Sequence, residues 1–481
     1  MSVQSMKTLT GGRWIETGRW VEVFDPADVR TPAARVPALA ASDVEAMFAA
    51  AADGFRTWRR TSPLQRARVL FQAAALLRER AADIAAAVTT EMGKTRAEAA
   101  GEVEKAADFF EYYAGLAREP YGHLVHDARP GTETHYRREP VGVVLAVTPW
   151  NDPVITPARK LAPALAAGNA VVLKPASETP TSALHLARAL HDAGLPAGVL
   201  GVATGRSKDL SPALLANAGI AAVTFTGSNE VGERLRRAFA DRNVRFQGEL
   251  GGKNATVVLA DADLDAAADA VVAAGFGQTG QRCTATSRVL VEHSVHDRFA
   301  AILESKAAAL AVGPGAEPET QCGPLVSPAQ RDSVLADIAL AVEQGAAVLL
   351  GGDVPAAHPH GCFVNPTILT GVTPGMDVWR HEVFGPVVVL RAVADLDEAI
   401  DAVNDSDFGL AAAVFTRDLA AAHRFADEVE CGQVAVNTTT SGWDVHQPFG
   451  GFRDSGSPFK EQGAEAVRFY TRVKTVAVRH G

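Results

Sequence analysis

Starting at Val141, four short apolar runs, VGVVLAV (141–147), AVVLKP (170–175), GVLGVAT (198–204) and AAVTFTG (221–227), alternate with stretches of helical spacing at roughly 156–167, 180–193, 208–217 and 229–240. Apolar runs without polar alternation are buried on both faces, and their alternation with helices predicts an α/β fold with a parallel, doubly wound sheet. Ligands of such sheets sit beyond the carboxyl ends of the strands, where Asn151, Lys174, Ser177 and Thr226 to Ser228 fall. A second alternating block runs from about Gly251 to Val436, with ELGGKN (249–254) as the junction. The cleft between the two blocks is the expected active site.

Upstream, Ser42 followed by Glu45 reads as a capping box for an alanine-rich helix that carries Val44, Phe48, Ala51, Phe55 and Trp58 at helical spacing. Ser62-Pro63 opens a second helix, which Gly93 is expected to close. No Ser/Gly-rich or Pro-rich linker and no repeat divides the 481 residues, so the two or three domains that the length suggests must be read from pattern.

A net charge of −10 offers no long-range attraction to nucleic acid or an anionic membrane, which points to a small-molecule partner. No stretch approaches a membrane span, and the N-terminal segment lacks the apolar core of a secretory signal, so a cytoplasmic protein is expected. The four cysteines, Cys283, Cys322, Cys362 and Cys431, are widely spaced with no CxxC pair; neither a metal site nor a disulfide framework is expected.

Cys283 lies in GQTGQRCTATSR, a glycine-rich polar loop that would present its sulfur to a substrate, whereas the other three cysteines read as small buried hydrophobes. A thiol near its ordinary pKa is a poor nucleophile at neutral pH and needs a base or a positive field. Glu249, before the Gly-Gly of ELGGKN, is the candidate base; an isolated glutamate is otherwise a solvated charge. Asn151, in TPWNDP after an apolar run, can donate to an oxyanion or simply serve a turn. Phe225 to Gly232 (FTGSNEVG) places a Gly-Ser turn between a strand and a helix, whose first N–H groups can meet a pyrophosphate; Ser228 is also an ordinary N-cap.

Taken together, TPWNDP, LKPASETP, FTGSNEVG, ELGGKN, GQRC, EVFGP and PFGG, in that order across nearly the whole chain, resemble the aldehyde dehydrogenase superfamily. The resemblance implies Cys283 as nucleophile, Glu249 as general base for a deacylating water, and Asn151 with the Cys283 backbone N–H as oxyanion hole. NAD or NADP is the implied cofactor, with Lys174 at the adenosine ribose, Ser228 at the pyrophosphate, Glu382 at the nicotinamide ribose and Phe384 beside the nicotinamide. Trp150, Thr226, Gly227, Gly232 and Leu250 complete the implied cofactor surface. Lys174 also belongs to the implied catalytic set, as does Glu461 in FKEQG, which matches a position implicated in proton relay. Ser177 stands where NAD-specific relatives usually carry a glutamate, so NADP acceptance is expected.

The implied architecture is a cofactor domain from 1–120 and 139–249, a catalytic domain from 250–450, and an oligomerisation arm from 121–138 and 451–481. A homodimer or homotetramer follows. Arg159, eight residues after Asn151, resembles the arginine of succinate semialdehyde dehydrogenases and predicts an ω-carboxylated substrate; it also has a reading as a surface arginine. Gly277 stands where those enzymes carry a second arginine. GQRCTATSR and the tail from PFGG onward are similar to 2-oxoglutarate semialdehyde dehydrogenases, and Ser441, Trp443 and His446 are expected near the tunnel mouth. Succinate semialdehyde and an aromatic or aliphatic aldehyde remain alternatives. A CoA-acylating enzyme is disfavoured by the glutamate at 249, and a non-catalytic homologue by the joint presence of Cys283, Glu249 and Asn151.

Overall fold

The computed structural model describes residues 3–119 and 121–480. Its first sheet is five-stranded and parallel, in the order Leu200–Val202, Ala170–Lys174, Val143–Val147, Ile220–Thr226, Arg245–Glu249. The chain begins at the centre with Val143–Val147, winds outward on one side, and returns to add Ile220–Thr226 on the other. The crevice at this reversal is where a doubly wound sheet binds its ligand. The helices Ile155–Ala167, Pro180–Asp192, Ser207–Ala216 and Asn229–Ala238 alternate with these strands. Val144, Val171, Leu173 and Ala222 share one core with the Ile155–Ala167 helix, while Val143, Leu145, Val172 and Val223 pack into another. Burial on both faces accounts for the unbroken apolar runs.

The second sheet has seven strands, in the order Ala347–Leu350, Thr367–Thr370, Val387–Val393, Arg288–Glu292, Ala255–Val258, Ala411–Phe415, Gln433–Val436. All pairs are parallel except that of Ala347–Leu350, the edge strand. A third, antiparallel sheet forms the arm, with Thr132–Pro140 between Gly122–Val125 and Thr471–Arg479. The fold is therefore a Rossmann-like cofactor sheet, an α/β catalytic domain and a small β arm. Of 451–481, only Thr471–Arg479 joins the arm sheet. Before it, Phe452–Arg453 pairs with Phe408–Gly409, and Ala466–Tyr470 is a short helix whose Ala466, Phe469 and Tyr470 enter the first core.

Two local expectations are corrected. The alanine-rich helix spans Ala41–Trp58 and starts at Ala40, whose N–H donates to Asp43 Oδ2 at 2.7 Å, so Ser42 lies inside it. Ser62 does cap a helix, Pro63–Glu79, but Arg80 interrupts the run and Gly93 closes a further helix, Ala81–Met92. A periodicity that continues across a break does not reveal it. Among the described residues no helix is long and apolar enough to cross a membrane.

Candidate active site

A cavity of about 730 Å³ opens between the carboxyl ends of the five-stranded sheet and the second α/β unit. TPWNDP leaves Val143–Val147 and turns into the Ile155–Ala167 helix, whose free N-terminal amides at Val154 and Ile155 donate to Glu102 Oε1 at 2.7 and 3.0 Å. This carboxylate fixes the end of the loop that carries Asn151. Opposite stands the loop of Cys283, where Gln278 and Thr279 adopt φ of 52° and 58°. Left-handed backbone is costly for residues with a Cβ and needs holding by the surroundings. Gln278 Nε2 donates to Asn151 O at 2.6 Å and Asp152 Oδ1 at 3.1 Å, while Asn151 Nδ2 donates to Gln281 O at 3.0 Å. The two loops are thereby cross-linked, with Asn151 and Cys283 lining one cavity.

The Gly-Gly of ELGGKN has a steric reason. A Cβ on Gly251 would lie 2.4 Å from Glu382 Oε2, and one on Gly252 would lie 2.7 Å from Cys283 O. Gly252 N–H donates to Glu382 Oε1 at 3.0 Å, and Asn254 Nδ2 donates to Cys283 O at 2.7 Å. One turn thus seats both Glu382 and the Cys283 loop. Burial pushes Glu382 up to about 7, against the Gly252 amide, which favours the carboxylate.

Glu249 is buried at the end of Arg245–Glu249. Its Oε1 accepts from Gln247 Nε2 at 2.9 Å, and its Oε2 has no hydrogen-bond partner among the described residues. Burial and the nearby Glu461 carboxylate hold its pKa well above the usual range, with Lys160 opposing. Gly450 of PFGG lies against it, since a Cβ there would come within 2.6 Å of Oε1. Glu461 does not line the cavity; it accepts from Lys160 Nζ at 2.5 Å and Arg159 Nη1 at 3.3 Å. Lys160 also donates to Thr224 Oγ1 (3.0 Å), and Thr224 to Gln247 Oε1 (2.6 Å). A hydrogen-bonded chain therefore runs from Glu249 through Gln247, Thr224 and Lys160 to Glu461 and Arg159.

Arg159 lines the cavity, its guanidinium 4.9 Å from the Phe449 ring and 5.6 Å from Phe109. It is not a surface arginine. Burial opposes its charge, but Glu461 and Cys283 outweigh that and raise its pKa. Burial likewise raises the Cys283 thiol, and Arg159 is the largest influence pulling it back down.

A model of the aldehyde dehydrogenase family matches residues 14–476. The chain belongs to this family. It is similar to an alpha-ketoglutarate semialdehyde dehydrogenase of Haloferax volcanii, 45% identical over 98% of each chain. A 2,5-dioxopentanoate dehydrogenase of Saccharolobus solfataricus is 39% identical over 98% of this chain and 99% of its own. Among solved structures, a betaine aldehyde dehydrogenase from Staphylococcus aureus in complex with NAD+ superposes with a TM-score of 0.96 at 30% identity, covering 99% of this chain and 95% of that one. The protein is an NAD(P)-dependent aldehyde dehydrogenase, which oxidises an aldehyde to the carboxylic acid through a buried cysteine. Cys283 is the cysteine that lines the cavity.

Around that thiol the aldehyde dehydrogenase gathers much of what its motifs name. Trp150 and Phe384 meet edge to face, 5.3 Å between centroids, and Phe384, at φ 54°, is held by Gln330 Nε2 donating to its carbonyl at 3.0 Å. Thr226, Gly227, Ser228 and Leu250 line the same cavity, as do Ser441 and Trp443. Lys174, Ser177 and Gly232 lie outside its lining. Lys174 Nζ donates to Pro175 O, and burial lowers its pKa to about 8 against the influence of Glu178. Ser177 Oγ donates to Gly205 O at 3.3 Å, and a Cβ on Gly232 would meet Leu250 Cδ2 at 2.5 Å. His446 does not line the cavity; it faces solvent 3.4 Å from Asp444. Ser441 shares a hydrogen bond with Thr284 Oγ1 at 2.9 Å, bracing the residue after Cys283. Sequence reasoning overlooked Lys160, Gln278 and Arg282. Lys160 adjoins Arg159 in the sequence, but an internal helical lysine carries no sign of its partner.

Proposed function

We propose that this aldehyde dehydrogenase acts hydrolytically on an ω-carboxylated semialdehyde, 2-oxoglutarate semialdehyde before succinate semialdehyde, with Cys283 as nucleophile, Glu249 as general base and Asn151 as oxyanion donor. The observation that carries the substrate reading is Arg159, a guanidinium between two phenyl rings on the cavity wall. Shielded from water by apolar walls, its fork is suited to a carboxylate. The names of the Haloferax and Saccharolobus relatives support the five-carbon keto-acid.

Cys283, as thiolate, attacks the aldehyde carbon, and Asn151 Nδ2 with the Cys283 backbone N–H bonds to the oxyanion that forms. A bound NAD(P) would supply the acceptor for the hydride that this carbon gives up, leaving a thioester on Cys283. Glu249 then takes a proton from water as it attacks the resulting Cys283 thioester, and the carboxylic acid leaves. A base at this position favours transfer to water over transfer to CoA.

The residues present fit a dinucleotide. Thr226 Oγ1 is buried without a partner among the described residues, and Ser228 starts the Asn229–Ala238 helix without capping it by its side chain, leaving its first amides to a pyrophosphate. Ser228 would hold that group, Lys174 the adenosine ribose, Glu382 the nicotinamide ribose, and Trp150 and Phe384 would flank the ring. Ser177, where a carboxylate would repel a 2′-phosphate, supports use of NADP alongside NAD. The chain divides into cofactor and catalytic parts and an arm whose C-terminal strand is Thr471–Arg479, and the arm, which exposes Leu124, Val473 and Val478, joins subunits into a dimer or tetramer. A cytoplasmic location accords with four unpaired cysteines.

The test is kcat/KM for 2-oxoglutarate semialdehyde, succinate semialdehyde and pentanal in the wild type and Arg159→Met. The expected result is a wild-type preference for the carboxylated substrates that Arg159→Met reduces by about tenfold or more. A wild-type preference for pentanal, or equal losses on all three, overturns the substrate reading.

A further inference from the structure

Among the described residues four cationic side chains line the cavity, Lys94, Lys105, Arg159 and Arg282, and each has a carboxylate partner. Lys94 is buried between Glu102, at 2.5 Å, and Asp152, at 3.1 Å. Lys105 lies 2.5 Å from Asp444, and Arg159 shares Glu461 with Lys160. Arg282 differs. Its Nε donates to Gln278 Oε1 at 2.8 Å, which orients the guanidinium, but neither Nη group makes a hydrogen bond among the described residues. Its ion pair with Glu98 is the loosest of the four, at 3.7 Å from Nη2, and that carboxylate is already occupied by hydrogen bonds. Glu98 Oε2 accepts from Thr95 N–H and Oγ1 at 3.0 and 2.9 Å, and Oε1 accepts from Gln278 N–H at 2.6 Å.

The position of this guanidinium is informative. A Cβ built on Gly277 would lie 3.4 Å from Arg282 Nη1 and 3.9 Å from its Cζ. The Arg282 guanidinium thus lies beside Gly277, in van der Waals range of a side chain at that position. Gly277 has φ of −55°, which suits any residue, so nothing in its own backbone asks for glycine.

Resting on the reading of Arg159 above, we propose that Arg282 is the second cation of the substrate cavity, and that it binds the distal carboxylate of an ω-carboxylated aldehyde together with Arg159. Glu98 and Asp152 face this region. Glu98 is held by Thr95 and Gln278, and Asp152 by Lys94 and Gln278 Nε2, so neither closes on Arg282 at hydrogen-bond distance. An incoming carboxylate meets two Nη groups whose hydrogen-bonding capacity is unspent.

Because Arg282 adjoins Cys283, the readout is a ratio: kcat/KM for 2-oxoglutarate semialdehyde over kcat/KM for pentanal, measured with saturating NAD. Arg282→Met is expected to lower this ratio about tenfold or more, chiefly through KM for the carboxylated substrate. Arg282→Lys, which keeps the charge and loses the fork, gives an intermediate ratio. The double variant Gly277→Arg/Arg282→Met returns a guanidinium to the same space from the other residue and recovers most of the lost ratio. An unchanged ratio in Arg282→Met, or no recovery in the double variant, overturns the proposal. A wild type without preference for the carboxylated aldehyde overturns the reading of Arg159 as well; a preference lost in Arg159→Met but retained in Arg282→Met overturns the role of Arg282 alone.

Discussion

Glu249 is a carboxylate whose burial and whose neighbour Glu461 both favour the protonated form. A raised pKa keeps Glu249 protonated to a higher pH than an ordinary glutamate, so in the proposed role activity limited by deacylation is expected to climb as pH rises through that pKa and level above it. In Glu249→Gln the burst of reduced cofactor is expected to persist, with steady-state turnover down about a hundredfold or more and the rising limb absent. Stopped-flow traces across pH check this; full turnover in the variant removes Glu249 from the mechanism. Cofactor choice belongs to the same scale. Glu178, exposed, favours the charged form of Lys174, and Ser177 is the position proposed to set cofactor preference. Ser177→Glu is expected to shift the ratio of kcat/KM for NADP over NAD toward NAD by about tenfold, the scale of one lost charge-assisted contact. An unmoved ratio shows that the residue does not set cofactor preference. The motifs of Cys283, Glu249 and Asn151 predicted that these residues would meet in one cleft, and they line one cavity, whereas the partner of Arg159 was not legible, because Glu461 lies 302 residues away.

At the scale of elements, the turn between the last strand of the first sheet and the first strand of the second couples the two halves of the site. It presents Glu249 on one side, makes room for Glu382 with Gly251, and binds Cys283 O through Asn254. Gly251→Ala brings a Cβ against Glu382 Oε2, so the carboxylate must shift and strain the bond its Oε1 accepts from the Gly252 amide. Losing a hydrogen bond to a charged group is worth roughly 1.5–3 kcal/mol, and KM for the cofactor is expected to rise about tenfold or more, with Tm changing little by comparison. An unchanged KM would mean that Glu382 has another seat. Secondary-structure reading did well where burial is complete, as in the central strands, and failed at Ala40 and Arg80. There the deciding groups, the Asp43 carboxylate and a break within a continuous periodicity, do not alter the apolar pattern.

For the molecule as a whole, the arm is a three-stranded sheet with Thr471–Arg479 on one edge and apolar side chains left in solvent, Val473 about half exposed and Leu124 more so. An uncovered apolar edge is a pairing surface. Val473→Asp places a charge there and is expected to move the enzyme to a smaller species in sedimentation velocity at micromolar concentration, while an unchanged sedimentation profile would put the subunit contact elsewhere.

What the sequence determined by itself is local in origin. Strand runs follow from burial on both faces, turns from glycine at positions without room for a Cβ, and the order of motifs from the order in which the chain visits the cleft. Tertiary structure alone decided which carboxylate meets which cation: Glu461 with Lys160 and Arg159, Glu102 with Lys94, and Glu98 with Arg282, whose Nη groups make no hydrogen bond among the described residues. Pairing energies depend on distance and burial between residues remote in the chain, and periodicity encodes neither.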